Sequence, residues 1–101
     1  LFVSMSDGSI QNKYTFKILN KTDKDIRVKV TAQGGVAGQV IIEDENTHLT
    51  HHGRGTSFTL FVRASGASVK KEVTPIRFRV ESVDDPAIFA EYSAKFNGPK
   101  R

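Results

Sequence analysis

Three histidines crowd into His48-Leu49-Thr50-His51-His52, directly after the carboxylates Glu43, Asp44 and Glu45. Imidazole nitrogens suit Cu(II) and Zn(II), so His48, His51 and His52 are the candidate metal ligands of this chain. The spacing i, i+3, i+4 converges on one side of a helical turn, whereas on an extended segment His51 points away from the other two. A solvated polar loop is the competing reading of the same residues.

Other constellations carry less chemistry. Lys13, Lys17, Arg27, Lys29, Arg77 and Arg79 fall on outward positions of alternating segments, where they form a basic face for an acidic partner or anionic headgroups, or simply solvated strands. No aromatic ladder accompanies them, so the stacking surface of a single-strand nucleic-acid binder is missing. Gly53-Arg54-Gly55-Thr56-Ser57-Phe58 begins like a dinucleotide fingerprint, but Phe58 takes the place of its third glycine and no helix follows. Neither a G-x-S-x-G elbow nor a phosphate-binding P-loop is present. Asp7, Asp84 and Asp85 read as turn residues, without the ligand repeat of a calcium loop. Asn20-Lys21-Thr22 matches a glycosylation sequon by pattern and is read as a turn.

The elements that must position these residues are strands, because the apolar residues repeat with period two almost throughout. Tyr14, Phe16 and Ile18 alternate with lysines and threonine over Ile10 to Leu19. After the turn-forming run from Asn20 to Asp25, Ile26, Val28 and Val30 alternate in the same way. The expectation is that these two segments pair as a long hairpin. A short strand covers Gln39 to Glu43, and Asp44 to Gly55 is the longest loop. Phe58, Leu60 and Val62 define the next strand, with Phe61 on its opposite face. Ser65-Gly66-Ala67-Ser68 is a turn. A strand starting at Pro75 carries Ile76, Phe78 and Val80, and the last strand presents Ile88, Ala90, Tyr92, Ala94 and Phe96 inward, with Phe89 out of pattern. With Leu1 to Met5 the count is about seven strands. This is an all-β chain, a single antiparallel β-sandwich of immunoglobulin or fibronectin type.

Composition agrees and narrows the options. One hundred and one residues, 38% hydrophobic, make one domain. There is no Cys and no Trp, hence no disulfide, thiolate zinc site, iron–sulfur ligand or Cys nucleophile, and a core built from Phe, Tyr, Ile and Val. Apolar runs such as Val40-Ile41-Ile42 are far too short to cross a bilayer, so no direct membrane insertion is expected. The net charge of +4 is halved by removing Lys100 and Arg101 alone, which does not argue for nucleic acid. Residues 1–97 are expected to form the sandwich and 98–101 a frayed tail. The missing initial methionine suggests a piece of something longer.

Within Ser6-Asp7-Gly8-Ser9-Ile10-Gln11-Asn12-Lys13-Tyr14, followed by the Asn20-Lys21 turn, the chain resembles the start of the C-terminal immunoglobulin-like domain of the FixG/CcoG family, with its D-G-x-I-x-N-x-Y unit. The resemblance spans the chain in length and strand order, but its specific residues lie between Phe2 and Lys21. Physically, Gly8 completes a tight turn, Ile10 and Tyr14 re-enter the core, and Asn12 is placed to tie the strand to neighbouring backbone.

The resemblance implies the periplasmic face of a bacterial inner membrane, as the appendage of a larger protein. That parent would have a polytopic membrane part and iron–sulfur motifs, and would serve assembly of, and copper supply to, a cbb-type cytochrome oxidase. Partners would be the membrane part of the same protein and the oxidase assembly factors. No cofactor is expected in this chain and no catalytic residue is carried over. The expected role is a structural, protein-interaction module. The alternatives are a copper relay through His48, His51 and His52, and an unrelated adhesion or sugar-binding sandwich. The second is disfavoured because both tyrosines, Tyr14 and Tyr92, point inward, whereas sugar platforms need exposed rings.

Overall fold

A computed structural model describes residues 1–100 as eight strands and one short 3-10 turn. The strands are β1 (Val3–Ser4), β2 (Ile10–Leu19), β3 (Ile26–Gly34), β4 (Val40–Ile42), β5 (His48–Thr50), β6 (Gly55–Ala64), β7 (Val73–Ser82) and β8 (Phe89–Asn97). They form two four-stranded antiparallel sheets, ordered β1-β2-β6-β4 and β5-β3-β7-β8. This is the expected sandwich. The polar stretch read as one loop contains the additional edge strand β5.

The expected hairpin is absent. β2 pairs along its whole length with β6, from Ile10 opposite Ala64 to Leu19 opposite Gly55, while β3 pairs with β5 and β7 in the other sheet. Alternation reports only which face of a strand is buried, and two consecutive strands satisfy it equally well stacked face to face. The reversal after Leu19 is therefore an arch between sheets. Buried Asn20 holds it: its amide nitrogen donates to the Lys24 carbonyl (2.8 Å) and reaches Thr50, and its oxygen accepts from the Thr22 N–H (3.0 Å) and hydroxyl.

The inward residues meet between the sheets. Phe78, Phe96, Leu60 and Val62 are fully buried, and Phe78 contacts the rings of Tyr14 and Phe16 at 4.7 and 5.2 Å. Two loop residues, Val36 and Val69, are also buried and belong to the core. β7 begins two residues earlier than expected, with Pro75 inside it. Pro75 is tolerated because it lies just past the last paired residue of β3, Gly34, where its carbonyl accepts from the Gly35 N–H. At the other terminus Gly98 is buried and its N–H donates to the Glu72 carbonyl (2.8 Å), so main-chain pairing continues one residue beyond Asn97.

Candidate functional site

The Asp7-Gly8 turn forms as its residues dictate. Gly8 has φ +88°, and the Asp7 carboxylate accepts from the Ser9 hydroxyl and N–H, which together lower its pKa. The chain thereby enters β2 with Asn12 and Tyr14 facing the opposite sheet. Asn12, 2% exposed, uses its side-chain amide as a surrogate peptide: Nδ2 donates to the Asn97 carbonyl and Oδ1 accepts from the Asn97 N–H, both at 2.8 Å. Two positions on, the Tyr14 hydroxyl donates to the Lys95 carbonyl at 2.8 Å. The N-x-Y spacing of β2 thus matches the two-residue repeat along the free edge of β8. It clips the two sheets together and satisfies an otherwise open edge.

Burial pushes the Tyr14 phenol up to about 12. A raised value means that the neutral phenol is the form the fold accommodates. Its contribution is intact below the ordinary value of 10 and is lost as pH rises towards 12, because the unfolded chain ionises first. Alkaline unfolding of the parent should therefore steepen across that window. Tyr14→Phe is expected to cost about 1 kcal/mol at neutral pH through the lost hydrogen bond, to flatten the alkaline slope and to remove a late tyrosinate absorbance transition.

The histidines are divided between two places. His48 lies on β5 with its ring stacked on Phe58 (centroids 4.0 Å apart, 9° between planes) and Nε2 3.0 Å from Glu43 Oε2. Both side chains of that pair are mostly buried. His51 and His52 follow the strand and are exposed. Both turn to Asp25, whose carboxylate lies 3.4 Å from His51 Nδ1 and 2.8 Å from His52 Nδ1, and accepts the His52 N–H at 3.0 Å. The His52 N–H, then its ring, hold the Asp25 pKa down to about 2. That contribution is present above the ordinary carboxylate range and fades as pH falls towards 2. Among the described residues, no group of three His, Asp or Glu side chains is arranged to hold a metal ion. The three rings do not converge, because period-two geometry turns His48 under the sheet edge while the chain leaves the strand before His51. Cu(II) titrated into the chain is expected to perturb the ring signals of His51 and His52 and leave His48 unmoved. Joint displacement of all three would show that the loop reorganises around metal.

The expected single basic face is not formed either. Register places Lys13 and Lys17 on the outside of the first sheet and Arg27, Lys29, Arg77 and Arg79 on the outside of the second, on opposite sides of the molecule. On the second sheet two of the four cations, Lys29 and Arg79, are paired with carboxylates. Lys29 lies 3.8 Å from Glu81, and Arg79 bonds Glu81 at 2.8 Å, nears Glu91 at 3.9 Å and lies 3.7 Å over the Phe89 ring. That stack explains the out-of-pattern Phe89, whose ring is an outward platform for a guanidinium. The first sheet has no carboxylate at its outward strand positions, and there Phe61 lies opposite Ile42 of the neighbouring strand β4.

Asn20, Asn12 and Tyr14 are therefore the polar residues the fold works hardest to place, and all three bind main chain of this same domain. Two sheets joined in this way define an immunoglobulin-like β-sandwich domain without a disulfide. Residues 1–99 match the family described as "IG-like fold at C-terminal of FixG, putative oxidoreductase", and the chain belongs to that family. A solved FixG-related protein from Vibrio parahaemolyticus superimposes with a TM-score of 0.76 at 19% identity, covering 89% of this chain and 80% of that one, and so shares the fold. No curated protein matches the chain.

Proposed function

We propose that this domain is a non-catalytic interaction module of a larger, membrane-anchored FixG-like iron–sulfur protein. It would lie on the periplasmic face of the bacterial inner membrane and serve the assembly and copper supply of a cbb-type cytochrome oxidase. The observation that carries the reading is how the polar side chains are used. Asn12, Asn20, Thr50 and Tyr14 all bind the domain's own backbone. Iron–sulfur clusters need thiolates, and this chain has no cysteine, so the clusters of such a parent would be held elsewhere in it. Partners would be the parent's membrane part and the oxidase assembly factors.

The test is replacement of this domain in the parent protein by an unrelated sandwich domain. Iron–sulfur content should be retained while oxidase assembly falls and crosslinks to the assembly partners disappear. Unchanged assembly would reject the interaction role, and loss of cluster redox activity alone would make the domain part of the reaction. The copper-relay alternative requires His48 to leave both Phe58 and Glu43. The sugar-binding alternative is less favoured, because both tyrosines, Tyr14 and Tyr92, pack against the core.

A further inference from the structure

β1 pairs with β2 only at Ile10 and Gln11, so among the described residues the same edge of β2 has no strand partner from Asn12 to Leu19. The main-chain groups of successive strand residues leave on alternate sides. Asn20 exchanges main-chain bonds with Arg54 and Gly53 on the β6 side, so Lys13, Thr15, Lys17 and Leu19 send theirs to the open edge. Facing it across the side of the sandwich is β8, the edge strand of the other sheet. The Asn12 and Tyr14 clip closes this side at Asn97 and Lys95 and leaves it open further along. There two successive clefts of about 320 and 160 Å³ lie between the strands, the first walled by Phe16, Phe78 and Tyr92, the second by Ile18, Val80 and Ile88. On the outer rim Lys13 and Lys17 have no ion-pair partner among the described residues, whereas Lys29 and Arg79 of the second sheet are paired with Glu81 and Glu91, and Lys21 stands at the far end.

Building on the reading of the domain as an interaction module, we propose that the open edge of β2 between Lys13 and Leu19 is a strand-addition site for an extended, acidic segment of a partner protein. A strand laid antiparallel along this edge directs alternate side chains into the cleft over Phe16, Ile18 and Tyr92, and the others outward beside Lys13 and Lys17. The fitting sequence therefore alternates apolar with Asp or Glu. Main-chain bonds to Lys13, Thr15 and Lys17 supply affinity, and the lysines select charge.

The test is an amide NMR titration of the 101-residue chain with a capped peptide of alternating glutamate and valine, at low salt. The expected result is saturable shifts along Lys13 to Leu19 and at Phe89 to Ser93. Affinity should fall at least about tenfold when the peptide's edge-facing amides are N-methylated, when lysine replaces its glutamate, or in a Lys13→Glu/Lys17→Glu variant. Both lysines are exposed, and unchanged spectra elsewhere would show that the variant is folded. No shift at about 1 mM peptide, or equal binding of the N-methylated peptide, would overturn the proposal. So would shifts confined to Val40, Ile42 and Phe61. That last outcome leaves the interaction module standing with another surface, whereas the domain-replacement experiment tests the module independently of this edge.

Discussion

Phe78→Ala is expected to remove about 3–5 kcal/mol of stability, the range for truncating a fully buried aromatic. Phe78 sits at the middle of β7, hydrogen-bonded on both sides to β3 and β8, so the backbone cannot sink into the space left behind. Above it are Tyr14 and Phe16 of the opposite sheet, whose rings it meets at tilted and edge-on angles. Those rings are themselves held, Phe16 by Phe58 and Tyr92, Tyr14 by its bond to Lys95. The cavity therefore persists and its cost is close to the upper end. A domain of this size has about 5–15 kcal/mol in total, so the variant should melt tens of degrees lower, at roughly 4–8 °C per kcal/mol. Chemical denaturation with the slope held constant is the check. A loss below about 1.5 kcal/mol would mean that the sheets close over the gap.

Asn20→Ala is the second large effect, expected at about 3 kcal/mol, because it strands several groups at once. The Thr22 N–H loses its partner, the Lys24 carbonyl keeps only the Thr22 hydroxyl, and the hydroxyl of Thr50, a residue 1% exposed, keeps only its bond to the Ile26 carbonyl. The damage falls on the arch between sheets and on β5 together, so backbone amides of His48 to Thr50 should exchange faster in the variant. Asn20→Asp is the sharper control. It keeps the acceptor that binds Thr22 but turns a carboxylate oxygen towards the Lys24 and Thr50 carbonyls. Its folded-state pKa should therefore be raised, and the sign follows: stability is recovered below the ordinary carboxylate value of about 3.9 and lost as pH rises above it. A variant as stable as the parent at neutral pH would show that water replaces the amide.

Residue types and their period were enough to specify several things. They placed the main strands, made the core aromatic and aliphatic without a disulfide, required a glycine turn at Asp7-Gly8 and put Asn12 where it could bind backbone. Each of these follows from local steric preference or from the two-residue repeat. Val36 and Val69 were not readable as core, since single apolar residues in loops carry no period. Phe89 broke the alternation for a reason visible only once Arg79 lay above it.

Which strands pair, and which distant side chains meet, was decided by tertiary structure alone. Alternation is blind to the choice between a hairpin and an arch, so β2 and β3 separated into different sheets and the six cations, Lys13 to Arg79, separated with them. The histidine spacing was likewise silent about geometry, because His48 belongs to a strand edge and His51 and His52 to the turn beyond it. The clip of Asn12 and Tyr14 onto β8 joins residues more than eighty positions apart. No local pattern encodes that distance; it is set by the packing of one sheet on the other.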